Sequence, residues 1–360
     1  MYINDLSFIN FRNLADTVLE LSPGINIFYG DNAQGKTNLL EAAYMCSTGR
    51  SIRTKTETQL IRFGKDLAHI RTYAFLETIA KRVDVHLEGG KKRLAVNGFP
   101  VKKMSEFFGS ISAVMFSPED LRLIKGGPSE RRRFMDMEIC QMSRVYCADL
   151  QNYHKALKQR NMLLKSKEKN GSAFDLLDVW DGQLVSYGRR IIRTREKFCL
   201  KLNDKAGRLH SGITGFGEEL EIKYVPSCAI DDLEEKLRES RARDLVLGTT
   251  SKGPHRDDLS FIINGRDARD FGSQGQQRTA CLSAKIAEIE LIAEETGESP
   301  ILLLDDVLSE LDEKRQGFLL ENTGNVQTLV TCTGVEDSLG RFLKDCTMYN
   351  VKNGEFIRIS

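Results

Sequence analysis

Apolar and polar positions follow two different periods along this chain, and the change of period divides it. In the first third the period is near two, as in half-buried strands. Ile3, Leu6 and Phe8 mark one strand, and Ile25, Ile27 and Tyr29 form a second that stops at Gly30. Residues 69–76 and 82–88 alternate, and Asn97-Gly98 between KKRLAV and FPV is a hairpin signal. ISAVMF (111–116) predicts a buried strand closed by Ser117-Pro118. From Pro128 the period becomes helical. Residues 129–165 lack Pro and Gly, KSKEKNGS (165–172) predicts a polar turn, and a second helical run extends from Phe174 to about Leu209. Two such helices predict a hairpin arm of roughly 50 Å. Beyond it the pattern predicts a strand at 219–225, a charged helix at 231–243, a hairpin at Asn264-Gly265 and a helix of about 20 residues from Gln274. The strands ILLL (301–304), TLVTCT and EFIRIS close the chain.

Composition adds exclusions. The 360 residues are 41% hydrophobic and 29% charged, with 7 prolines, which is globular and neither disordered nor fibrous. Apolar runs are a handful of residues, so no membrane-spanning helix is expected, and MYINDLSFIN lacks the pattern of a secretory signal. None of the eight cysteines forms a CxxC pair, which argues against a zinc ribbon. Scattered thiols fit a reducing cytoplasm. The net charge of +1 conceals polarity: residues 1–120 carry +2, 121–210 carry +10 and 211–360 carry −11. A basic middle is either a solvated helical face or a surface for phosphate backbones. In the second case Lys155, Lys158 and Arg160 are the candidate DNA contacts.

Residues 30–37, Gly30-Asp31-Asn32-Ala33-Gln34-Gly35-Lys36-Thr37, match G-x-x-x-x-G-K-[ST] between an apolar strand and a helix. Such a loop turns its backbone N–H groups toward phosphate oxygens, Lys36 supplies a charge for the β/γ-phosphates, and the Thr37 hydroxyl suits Mg²⁺. ATP and Mg²⁺ are the expected ligands. The strand 301–304 delivers Asp305 and Asp306 at its end: Asp305 suits Mg²⁺, and Asp306 suits a water-orienting role. Lys36 and Asp305 are 269 residues apart, yet both must reach one nucleotide. Their strands must therefore be near one another in a single sheet. This predicts an α/β nucleotide head built from 1–120 and 211–360, with a basic helical arm, 121–210, inserted. FGSQGQQR (271–278) opens a helix just upstream of the acidic strand, with Ser273 as its cap. His255, Arg256, Asp257 and Asp258 predict a turn held by salt bridges, and Trp180 predicts packing more than base stacking.

These elements, in this order, are similar to ABC-type ATPase heads, and the large insertion resembles the SMC branch. FRNL (11–14), GDNAQGKTNLLEA (30–42), SPEDLRLIKGGPSERRRFMD (117–136), KGPHRDDL (252–259), GSQGQQR (272–278) and LLLDDVLSELD (302–312) resemble the RecF family of bacterial DNA-repair ATPases. The resemblance implies an ABC/SMC-type P-loop head with an arm, DNA binding at gaps and junctions, and an ATP-dependent homodimer. It also implies cooperation with RecO and RecR in loading RecA. By position it implies that Ser273, Gly275 and Gln276 contact the γ-phosphate held by a second copy. Arg12 is expected to reach the phosphates, and Ser309 to Asp312 to line the dimer seam. Two departures are visible. Asp306 stands where many ABC transporters have Glu, which suggests slow turnover. No histidine follows TLVTCT at Thr333-Gly334, where transporters carry a switch residue. A transporter-type ATPase subunit and a small-molecule P-loop kinase are the alternatives. The first predicts that histidine, and the second has no use for a basic arm.

Overall fold

The computed structural model describes residues 1–77, 79–166, 171–324, 326–334 and 346–359, with only the helical backbone for 171–175. Two compact units divide the chain: Met1–Asp120 with Leu282–Ser360, and Leu121–Cys281.

The first unit holds two six-stranded sheets. One is antiparallel, with strands Tyr2–Ile9 (β1), Thr17–Glu20 (β2), Leu67–Phe75 (β4), Ala80–Glu88 (β5), Lys91–Val96 (β6) and Phe99–Pro100 (β7) in the order β2-β1-β4-β5-β6-β7. Its alternation follows the sequence except at one point. Ile3 and Leu6 are three apart yet both buried, because the register with β4 shifts between Ile3 and Asp5. A bulge of this kind resets which side chains face inward. The hairpin turn at Asn97-Gly98 has positive φ at both positions, 53° and 81°, as a two-residue turn matched to strand twist requires.

The second sheet has the order β15-β14-β3-β13-β12-β8. Its strands are Ile25–Tyr29 (β3), Ala113–Phe116 (β8), Ile301–Asp305 (β12), Thr328–Cys332 (β13), Cys346–Lys352 (β14) and Glu355–Arg358 (β15). All neighbours pair in parallel except β14 with β15. Parallel strands covered on both faces need apolar side chains throughout, hence the buried Leu302, Leu303 and Leu304 of β12. The helix Lys36–Thr48 follows β3 and ends at Gly49, whose φ of 65° closes it. Its Leu39 and Leu40 join Leu6, Phe11, Ile70, Val85 and Leu303 in one core.

The second unit is mainly helical. The helix expected over 129–165 is two, Pro128–Met142 and Arg144–Lys165, because Ser143 is extended and its hydroxyl caps the second helix by accepting from the Tyr146 N–H. The next helix, Gly171–Thr214, has 44 residues, about 66 Å at the usual rise and longer than expected. Its glycines do not interrupt it. Gly188 allows close approach, since a Cβ there would come within 2.8 Å of Leu233 Cδ2. Part of the expected turn at 165–172 lies outside the described residues.

Residues 211–281, expected in the head, belong to this unit instead. The reason is pairing: Leu220–Val225 (β9) joins Asp258–Ile263 (β10) over six registered pairs, and β10 turns at Asn264-Gly265 into Arg266–Asp267 (β11). Arg131 of the first helix ties Asp258 with two hydrogen bonds, at 2.6 and 2.8 Å. The cluster at 255–258 is, as expected, a braced turn: Asp257 accepts from Arg195, Tyr224 and the Ser227 N–H. Trp180 is half-buried.

Candidate nucleotide site

The strands that carry the two halves of the site lie one strand apart. β3 delivers the loop 30–37, β12 delivers Asp305, and β13 runs between them, with Thr331 opposite Asp305 in register. The loop can curl because two of its positions are glycine. Gly30 (φ 154°) and Gly35 (φ 112°) lie in backbone regions that favour glycine, and a Cβ on Gly30 would collide with the Val351 carbonyl. Ala33 also takes positive φ, 65°. Asp31, Asn32 and Ala33 are exposed at the rim, and Gln34 is half-buried. Lys36 is buried, and its Nζ donates to the carbonyls of Gly30 and Asp31 at 2.5 and 2.7 Å.

Thr37 Oγ1 donates to Asp305 Oδ1 at 2.8 Å, and Thr331 Oγ1 donates to the same oxygen at 2.9 Å. Burial pushes the Asp305 carboxyl up, the two hydroxyls pull it down, and neighbouring Asp306 pushes it up. Asp306 has φ 54°, and its N–H is held by the Thr331 carbonyl and hydroxyl. Its Oδ1 is buried with no hydrogen-bond partner among the described residues. A hydroxyl and two carboxylates, one with an orphaned oxygen, are hard oxygen donors of the kind that Mg²⁺ takes. Thr331 was not singled out from the sequence. A polar residue inside the apolar run TLVTCT was the available signal.

Arg12 has a different first partner from the phosphates. It donates from Nε and Nη2 to both oxygens of fully buried Glu41, at 3.0 and 3.1 Å, and from Nη1 to the Gln59 carbonyl. Glu41 also accepts from Ser51. Neither acid nor hydroxyl stood out in sequence, because nothing in the spacing links positions 12, 41 and 51. Arg12, Asn13 and Asn38 face a cleft of about 1010 Å³ beside the loop.

The helix Gln274–Thr296 begins as expected. Gln276 N–H donates to Ser273 Oγ at 3.2 Å, and Ser273 N–H donates to Gln276 Oε1 at 2.9 Å, a reciprocal capping box. Gln276 Nε2 continues to Glu218 at 2.9 Å, and Gly275 accepts from Thr279 Oγ1. Ser273, Gly275 and Gln276 lie in the second unit, apart in the chain's organisation from Lys36 and Asp305 in the first.

Of the three candidate DNA contacts, Lys155 and Lys158 are exposed. Arg160 is not a surface group. It is fully buried and donates to Asp181 at 2.5 Å, Asp244 at 2.7 Å and Thr250 at 2.9 Å. It sits two positions beyond Lys158, on the helix face turned inward. The switch position Thr333-Gly334 is described, but 335–345 lies outside the described residues. Ser309 donates to the Asp306 carbonyl, and Asp312 caps the helix Glu313–Thr323. His69, Asp84 and His86 also bring ligating atoms within 4.8 Å. Arg71 and Arg82 already occupy Asp84, however, and their charges oppose a cation. None of the eight cysteines is in a disulfide, and among the described residues no helix is long and apolar enough to cross a membrane.

Comparison with known proteins places this geometry. An AAA domain family model matches residues 5–295. The DNA replication and repair protein RecF of Lachnoclostridium phytofermentans is 50% identical over 98% of this chain and 99% of its own. That of Lachnospira eligens is 47% identical over 99% of each. The solved recombination mediator protein RecF-ATP of the RecFOR pathway superposes with a TM-score of 0.93 at 37% identity, covering 100% of this chain and 98% of that one. An Smc head bound to the C-winged helix domain of ScpA covers 100% of this chain and 98% of its own with a TM-score of 0.59 at 15% identity, which speaks to the fold alone. The fold is thus that of an ABC/SMC-type ATPase head. Identity near one half, sustained over nearly the full length of both partners, leaves one assignment: the chain belongs to the RecF family of DNA replication and repair proteins.

Proposed function

We propose that the chain is an ATP-gated DNA-binding protein of recombinational repair and replication-fork maintenance, with DNA gaps and junctions as its target. The observation that carries this reading is the convergence of Thr37, Thr331 and Asp305 at the ends of neighbouring parallel strands beside Lys36. In this reading the N–H groups of the loop Gly30 to Thr37 hold the phosphates of ATP, and Lys36 exchanges its two carbonyl partners for phosphate oxygens. Thr37 and Asp305 hold Mg²⁺, which neutralises phosphate charge when bound. Asp306, with its orphaned oxygen, orients the attacking water. Its short side chain makes turnover slow. Arg12 braces the loop's helix through Glu41 and acts near the phosphates.

Ser273, Gly275 and Gln276 are read as acting on the γ-phosphate held by a second copy. The N-terminus of a 23-residue helix is suited to an anion. A two-fold pair then has two composite sites. Lys155 and Lys158 contact DNA phosphates, so affinity falls steeply with salt. The recombination mediator of the RecFOR pathway supports RecO and RecR as partners, and eight cysteines outside any disulfide support a cytoplasmic location.

Sedimentation with ATP and with ADP tests the reading. The expected result is a dimer with ATP alone, abolished in Ser273→Arg while that variant still binds ATP. Dimers indifferent to nucleotide overturn the gating, and absence of ATP binding overturns the site.

A further inference from the structure

The phosphate loop is gripped from outside by the far end of the chain. β14 and β15 meet in a tight turn at Asn353-Gly354, with φ 52° and 80°. Gly354 N–H donates to the Gln34 carbonyl at 2.9 Å, and Asn353 N–H donates to Gln34 Oε1 at 2.6 Å. The Gly354 carbonyl accepts from the Ala15 N–H at 2.9 Å. Asn13 completes the clasp. Its Nδ2 donates to the Ala33 carbonyl at 3.2 Å, and its Oδ1 accepts from Asn38 at 2.7 Å. There is no slack: a Cβ on Gly354 would collide with the Asn13 carbonyl oxygen.

A loop that must present several consecutive N–H groups to one anion loses backbone freedom when the anion binds, unless something has already ordered it. Gln34 is one of the four variable positions of the loop pattern, and its carbonyl and side chain are both engaged by the turn.

We propose that the Asn353-Gly354 turn is a positioning element of the nucleotide site, acting through Gln34 to hold the phosphate loop in its ligand-ready curve. This rests on the reading of residues 30–37 as the nucleotide loop. Gln34 is a positioning residue here, and the C-terminal hairpin becomes part of the nucleotide machinery.

The test is calorimetric titration of ATP and ADP into the full chain as wild type, Gly354→Ala, Gln34→Met and the double variant. Gly354→Ala should weaken both nucleotides about tenfold, and Gln34→Met about fivefold, the scale of one or two lost hydrogen bonds. Because both act through the same turn, the double variant should bind no more than about twofold worse than Gly354→Ala. Hydrogen exchange at residues 31–35 should quicken without nucleotide and return to the wild-type rate at saturation, which a general loss of stability would not produce. Unchanged affinities, or single effects that multiply, overturn the proposal. Should Gly354→Ala fail to fold, Gln34→Met at its half-buried position decides alone. If the wild type binds neither nucleotide, the site reading itself falls. If it binds both and Gln34→Met binds equally well, only the clasp falls.

Discussion

The interior of Met1–Asp120 with Leu282–Ser360 is largely aliphatic and aromatic, with Leu6, Phe28, Ile70, Val85 and Leu303 fully buried. The interior of Leu121–Cys281 contains guanidinium groups. Arg160 and Arg195 are both shielded from water and held by Asp181, Asp244, Asp136 and Asp257. In the first unit burial itself is favourable, and its working carboxylates gather at strand ends where one oxygen stays unpaired. In the second unit each buried charge costs desolvation that only its partners offset, so removing one partner leaves the other stranded. The difference teaches where each unit is brittle. The nucleotide unit, which also buries the pairs Arg12–Glu41 and Lys285–Glu288, should fail chiefly by cavities, and the helical unit chiefly by broken ion pairs and by acid.

The largest effect should come from the second unit. Arg160→Ala leaves buried Asp244 without its cation, while Asp181 keeps Arg241, and should cost about 3–5 kcal/mol, read as an earlier urea transition of the helical signal. Replacing Arg160 with Met and Asp244 with Leu together should recover much of that loss. No recovery would mean that Arg160 contributes packing rather than charge balance. Leu303→Ala, in the buried strand β12, should cost about 2–5 kcal/mol through a cavity, with the same loss at pH 5 and pH 7. A loss that grows with acid would blur the distinction between the units.

Lys36→Met should leave the unfolding transition near wild type while weakening ATP on the order of a hundredfold, as loss of a charge-assisted phosphate contact implies. Titration calorimetry checks it, and unchanged affinity would refute the loop's role.

Acid should separate the units next. His255 accepts from Tyr153 at Nδ1 and donates to the Thr250 carbonyl from Nε2, so its neutral form is fully bonded. Burial drives its pKa down from 6.5 to about 4. A depressed folded pKa means that its contribution is complete above pH 6.5 and is lost as pH falls toward 4, worth on the order of 3 kcal/mol. His255→Asn should flatten the fall in stability between pH 7 and 4.5. An equal slope in both proteins would place acid sensitivity elsewhere.

The smallest effect should be on DNA. Neutralising Lys155 and Lys158 should weaken binding a few-fold and reduce the salt slope by about 2, measured by fluorescence anisotropy at several ionic strengths. An unchanged slope would move the DNA surface off this helix.

Much of the site was legible because its grammar is local. The glycines of 30–37, the acidic end of the 301–305 strand and the Ser273 cap each follow from residues within a few positions of one another. What stayed hidden depends on distant partners. Arg160 reads like Lys158 until Asp181 and Asp244, 21 and 84 positions on, are seen around it. β14 was missed because CTMYNVK mixes polar and apolar residues, although its pairing with β3 buries Tyr349 and Val351. That 211–281 joins the helical unit follows from β9 pairing with β10, a contact between distant segments that no local pattern marks. The bulge near Asp5 likewise follows from register with β4.

The neighbours of β3 carry a last consequence, for the order of events on the ribosome. β3 is made early, yet it is flanked by β13 and β14, made about 300 residues later. The unit Leu121–Cys281 is complete before either of them exists. During synthesis the helical unit can close on itself while β3 waits, unpaired and apolar, for roughly ten seconds or more at usual elongation rates. Such a strand is a template for wrong pairing. A nascent chain arrested after residue 281 should therefore give a protease-resistant helical fragment and a vulnerable N-terminal one, and should draw on chaperones through that exposed strand.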